Sequence, residues 1–188
     1  AIMATAEYLL GHSFHAGGFF QNMIHSGINA YLTLDIAQTL LRAGQPHRAW
    51  ALVRTVADLA SPTGQWPEAI HPRTGGGCMG DGQHVWASAE WVMAMRALFV
   101  REEGGTLVVG SGLPPEWLGS GQWLRFGPTR TARGPVRIEI GPGEHGLVVR
   151  VTGEWRGRPP RLRACVPGHR EVDLPADGSA VALEAAHP

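Results

Sequence analysis

The chain contains no lysine: all 16 of its basic residues are arginine. That choice follows genome composition more readily than any physical demand, and it carries no functional information. Neither sign of charge is in excess, because 16 acidic residues balance the 16 basic ones. A neutral chain without a basic stripe lacks the electrostatic footprint of a nucleic-acid binder. The arginines of the last third (Arg125, Arg130, Arg133, Arg137, Arg150) fall at strand-like positions instead of in a run. Cysteine is scarce, with Cys78 and Cys165 standing far apart in different halves. Two such residues suggest free thiols in a reducing compartment, or simple indifference, more than a disulfide scaffold. Long hydrophobic runs are also missing. No stretch approaches the ~20 apolar residues that span a membrane, and the run near Trp91 is broken by Glu90 and Arg96. The opening AIMATAEYLL has neither an initiator methionine nor a charged region before an apolar block. No signal peptide is therefore visible, which favours a cytoplasmic address. An opening in mid-pattern is what the C-terminal piece of a longer polypeptide would show.

What is abundant is glycine, 26 residues of it, and it gathers in one stretch, SPTGQWPEAIHPRTGGGCMGDGQHVWASAEW, residues 61 to 91. This stretch places Trp66, Glu68, His71, Asp81, His84, Trp86, Glu90 and Trp91 around a glycine run. Up to His84 it has no apolar period of either kind, so it reads as one long loop. Loops that long inside a compact domain are usually functional or disordered. Trp66, Ile70, Met79 and two prolines argue for a packed course. Indoles for stacking, with carboxylates and imidazoles for hydroxyl groups, make a plausible sugar site.

Around that loop the first hundred residues carry a helical period. A helix over residues 1 to 10 stops at Gly11, and a glycine-spaced loop follows with His12, His15, Phe19, Phe20, Gln21, Asn22 and His25. A second helix, capped by Ser26 or Asn29, runs to Ala43 with Ile28, Leu32, Ile36 and Leu40 on one face. Gly44 ends it, and Pro46 opens a third helix that reaches about Ala60. The fourth, Val85 to Glu102, is apolar nearly all round, as inner helices of a double-layered barrel are. Helices joined by short turns run antiparallel, so the short AGQP connection puts the loops at 11–27 and 61–84 at one end. After Gly104 the period changes to two. TLVVG, QWLRFG, VRIEIG, GLVVRV, RLRACV, REVDL and AVALE read as short strands of an antiparallel β-sandwich. The expected domains are 1–103, helical, and 104–188, a β-sandwich.

TGQWPEAIHP, GGGCMGDGQHVWASAEWVM, LVVGSGLPPEWL and LRFGPTRTARGPVRIEI together resemble the C-terminal end of six-hairpin (α/α)6 glycosidases. These include glucoamylase-like, glycogen-debranching-like and α-L-rhamnosidase-like enzymes. The resemblance covers most of residues 19 to 140. It implies the final helical hairpins of an (α/α)6 toroid followed by a small β-sandwich, and a glycoside hydrolase without a cofactor. It implies Glu68 as general base, and His84 as a polar residue facing the sugar from the start of the last helix. The general acid of these families lies on a middle hairpin that this chain lacks. The upstream part of the same polypeptide, or a second chain completing the barrel, would supply it. Carbohydrate is then the substrate, and neither nucleic acid nor membrane is a partner.

Each candidate has a plainer role beside the functional one. Glu68 acts as base, or caps and bridges loop backbone. Asp81 binds sugar hydroxyls, or forms an Asx-turn. Glu90, inside an apolar helix, must be paired or titrated upward, and a structural pair with an arginine is the favoured reading. His71 and His84 read as ligand contacts. Trp66 is the favoured stacking platform, Trp86 a second substrate contact and Trp91 a core residue, while Trp50, Trp117, Trp123 and Trp155 read as packing. His12 and His15, with His25 or Cys78, imitate a metal site without the close spacing of four ligands. Two alternatives to hydrolysis follow: a non-catalytic glycan-binding or barrel-completing module, and a histidine-rich metal-binding protein.

Overall fold

The computed structural model describes residues 1–23, 26–80 and 82–186. The chain divides into two compact units, Ala1–Met95 and Arg96–Pro188.

In the first unit, α1 (Ile2–His12) leads into β1 (Phe14–His15), β2 (Gly18–Gln21) and β3 (Gly27–Ile28). Then come α2 (Ala30–Arg42), α3 (Pro46–Asp58), β4 (Ala69–Ile70), β5 (Gly77–Met79) and α4 (Val85–Phe99), whose residues from Arg96 onward belong to the second unit. Asn29 starts α2 by accepting the Leu32 N–H on its side chain at 3.1 Å. Pro46 occupies the first turn of α3, where a missing N–H costs nothing. The two helices bury Leu34, Ala37, Leu40 and Leu41 against Ala49, Leu52, Val53 and Val56. The two long glycine-rich segments, turns for most of their length, carry short strands. They form a five-stranded antiparallel sheet in the order β1-β2-β3-β4-β5, joined to each other where Ile28 pairs with Ile70.

In the second unit, β6 (Val100–Glu103) and β7 (Thr106–Val109) precede the short helix α5 (Pro115–Leu118). There follow β8 (Leu124–Thr131), β9 (Gly134–Gly143), β10 (Gly146–Gly153), β11 (Arg161–Ala164), β12 (Val172–Leu174) and β13 (Val181–Ala182). One sheet has the order β13-β10-β9-β8 and is antiparallel throughout. The other, β12-β11-β7-β6, is mixed, because β11 runs parallel to β7. Alternation is clean on β9, where Val136, Ile138 and Ile140 are buried and Arg137 is exposed. The seven segments read as strands are each a strand. The eighth, β6, begins where α4 was expected to continue to Glu102. Its β-branched Val100 pairs with Val109, and the Gly110 N–H takes the Phe99 carbonyl at 2.8 Å.

This architecture overturns the expected toroid. The chain is α+β, with five helices and three sheets among the described residues, and the likeness to six-hairpin glycosidases falls with the toroid. The misreading has a physical source. Strands of two to four residues, such as β1 and β3 to β5, are too short to show a period of two. Without it, glycine and proline read as loop. Among the described residues no helix is long and apolar enough to cross a membrane.

Candidate functional site

The site in the first unit is built from the start of α2. Asn29 is fully buried, and its side-chain N–H groups donate to Gln21 Oε1 at 3.2 Å and to the Glu68 carbonyl at 3.1 Å. The Glu68 N–H in turn donates to the Met79 carbonyl at 3.2 Å. Both backbone groups of Glu68 are thus fixed, while its half-buried carboxylate has no hydrogen-bond or ion-pair partner among the described residues. A groove of about 530 Å³ runs past the neighbouring backbone, lined by Leu59 to Pro62, Pro67 and several glycines, Gly80 among them.

Two residues before Glu68, the Trp66 carbonyl accepts the His84 N–H at 2.8 Å. That bond brings the lead-in of α4 beside the loop. The His84 ring lies 5.0 Å from the Tyr31 ring, and its Nδ1 is buried without a partner. Buried polar atoms of this kind are rare and call for an explanation, such as an ordered water or a ligand. Trp86 stacks on Tyr31 at 4.3 Å between ring centroids yet leaves 53% of its surface exposed.

Side chains one helical turn apart share a face. On α2 these are Tyr31, Asp35 and Gln38; on α4 they are Trp86 and Glu90. The two rows meet. Glu90 accepts the Trp86 indole N–H at 3.4 Å on one oxygen and Gln38 Nε2 at 2.9 Å on the other. Asp35 lies against Glu90, and burial, then the Glu90 charge and a hydrogen bond to it, raise its pKa to about 6. A carboxyl group of that pKa can hold or release a proton near neutrality.

Several sequence-based assignments change here. Trp66 is no stacking platform: it is 4% exposed, its N–H donates to the Val56 carbonyl at 2.8 Å, and its ring meets Trp91 at 5.3 Å. Among the described residues Glu90 pairs with Asp35, Gln38 and Trp86, not with an arginine. His71 is exposed, and its Nδ1 accepts the N–H groups of Arg73 and Thr74, both at 3.3 Å, which makes it a turn cap. Asp81 lies outside the described residues, as does His25. His84 and Trp86 are brought together on Tyr31, and the Trp66 carbonyl ties His84 to the segment that carries Glu68. Tyr31, Asp35 and Gln38 escaped the sequence reading, although their spacing at i, i+4 and i+7 marks a polar row on an apolar helix.

Among the described residues the histidines do not converge on a metal site. His12 stacks on Tyr8 at 4.3 Å, and His15 meets Phe20 at 5.8 Å. Among the described residues no group of three or more His, Cys, Asp or Glu side chains is arranged to hold a metal. No family model, curated protein or solved structure matches the chain.

Proposed function

We propose that the first unit is a glycoside hydrolase site that seats a sugar ring on Trp86. The observation that carries this reading is the exposed indole, stacked on Tyr31 and tethered to Glu90 beside a protonatable Asp35. The apolar face of a pyranose stacks on such a ring, and its hydroxyls bond to the carboxyl groups next to it. Glu68 is the general base: it removes a proton from the water that attacks the anomeric carbon. Asp35 is the general acid: it gives its proton to the departing glycosidic oxygen as the C–O bond breaks. Exchange with solvent restores both groups.

A second reading, a glycan-binding module without turnover, draws on one feature. Asp35 is coupled to Glu90, whose charge and hydrogen bonding raise its pKa, so its proton is shared with a neighbouring carboxylate. Such a couple orients hydroxyl groups without flanking a scissile bond. Release of reducing sugar from nitrophenyl glycosides and α- and β-linked oligosaccharides decides between them. Glu68→Gln should lower turnover by a factor on the order of 10²–10⁴, with the sugar still bound. Binding without turnover in the unaltered protein would leave the module, and turnover untouched by Glu68→Gln would remove the base assignment.

A further inference from the structure

The second unit carries another aromatic hollow, of about 390 Å³, within the ~300–1,000 Å³ common for small-ligand sites. Its floor is Phe99 and Trp117, whose rings lie 6.3 Å apart, and Phe99 is backed by Phe126 at 4.8 Å in a parallel stack. Its wall is Trp123, which keeps 38% of its surface exposed. Trp123 is held in place by glycine: a Cβ on Gly141 of β9 would stand 2.5 Å from the indole, so only glycine lets the ring lie on the strand. The turn leading to it is also fixed, because Ser120 donates to the Trp117 carbonyl at 2.7 Å and accepts the Gln122 N–H at 3.3 Å.

The rim is polar and of both signs. Glu116, Gln122 and Arg125 line it, and the Arg125 guanidinium sits 5.9 Å from the Trp123 ring centre. Arg125 Nε is bound to Glu139 at 3.1 Å, while its side chain remains 67% exposed. Opposite charges side by side disfavour a strongly charged ligand. Apolar floor, rigid indole wall and a rim of donors and acceptors suit a molecule with one apolar face and an edge of hydroxyls. We propose that this hollow is a second, independent carbohydrate-binding site, taking a neutral oligosaccharide with one pyranose against Trp123 and its hydroxyls on Gln122, Glu116 and Arg125.

The test is calorimetric titration of the full chain carrying Trp86→Ala, which disables the site in the first unit, with cellohexaose, xylohexaose and maltohexaose. At least one of the three should bind, and its addition should shift the Trp123 indole N–H resonance. Adding Trp123→Ala should weaken that binding about tenfold or more, and Gln122→Ala, a surface change with little effect on folding, should weaken it severalfold. Failure of all three sugars to bind, a stationary Trp123 resonance, or unchanged affinity in both variants would overturn the proposal. Because the titration is made without Trp86, such a failure leaves the reading of the first unit standing.

Discussion

Asp35 and Glu90 bring two carboxyl groups together between α2 and α4, and burial with the Glu90 charge raises the Asp35 pKa to about 6. A raised folded pKa stabilises below the unfolded value, near 4, and that stabilisation is lost as pH rises through about 6. The protein should therefore lose stability between pH 4 and 6 and hold the lower value above it, as far as this group is concerned. Each pKa unit corresponds to ~1.4 kcal/mol. Asp35 is only partly buried, and solvent screening reduces the effect to about 1 kcal/mol. Asp35→Asn should thus stabilise the protein by about that amount at pH 7.5 and hardly at all at pH 4. Urea unfolding at both pH values reads the difference, and an equal effect at both would refute the pairing.

The two tryptophans of the glycine-rich segment should respond in opposite ways. Trp66 fills the core, so Trp66→Ala should cost ~3–5 kcal/mol, and Trp66→Phe ~1–3 kcal/mol for the Val56 carbonyl left unpaired. Trp86→Ala should change stability by less than about 1 kcal/mol and abolish saccharide binding in the first unit. Thermal melts and sugar titration of the three variants separate the roles. A Trp86→Ala protein that loses several kcal/mol of stability while its sugar affinity persists would reverse them.

Asn29 joins the α2 cap to the backbone of Glu68, and its two jobs can be separated. Asn29→Asp keeps the oxygen that caps α2 and removes the N–H donors to Gln21 and Glu68. Asn29→Ala removes both. The alanine variant should lose ~2–3 kcal/mol, from the cap and from buried groups left unpaired. The aspartate variant should lose at least as much stability, because a buried carboxylate would face the Gln21 and Glu68 oxygens, and as much turnover, because the Glu68 backbone is released in both. Unfolding curves and rates on one substrate make the comparison, and full turnover in the aspartate variant would show that this bond does not position Glu68.

The sequence made the second unit legible strand by strand, since Val136, Ile138 and Ile140 alternate with polar neighbours over a strand of ten residues. It also showed where chemistry gathers, because Glu68, His84 and Trp86 lie within one glycine-rich segment. It did not show that this segment pairs with residues 14–28, for a pairing such as Ile28 with Ile70 leaves no periodic trace. Nor did it reveal Asp35. A lone aspartate in an apolar helix acquires meaning only from Glu90, which is 55 positions away and reaches it through tertiary packing. Trp66 misled for a related reason: an indole among glycines looks exposed until α3 offers it the Val56 carbonyl.

Gly134 opens β9 with φ +118°, and a Cβ there would come within 2.1 Å of the Glu154 carbonyl oxygen. Two penalties therefore coincide. An L side chain is strained at that φ by roughly 1–3 kcal/mol, and the collision cannot be relieved by a rotamer because its partner is backbone. The neighbouring chain is also tied down, with the Glu154 N–H on the Pro135 carbonyl at 3.0 Å and the Arg156 N–H on the Arg133 carbonyl at 2.8 Å. To admit a methyl group, β9 must part from the segment after β10, and these bonds lengthen or break. Gly134→Ala should consequently destabilise the second unit by about 3–5 kcal/mol, at the upper end for a point substitution. The effect should appear as a lowered melting transition in calorimetry, with saccharide binding at Trp86 retained below it. A loss of 1 kcal/mol or less would mean that the turn relaxes freely and that the close approach of Gly134 to Glu154 is not a constraint of the fold.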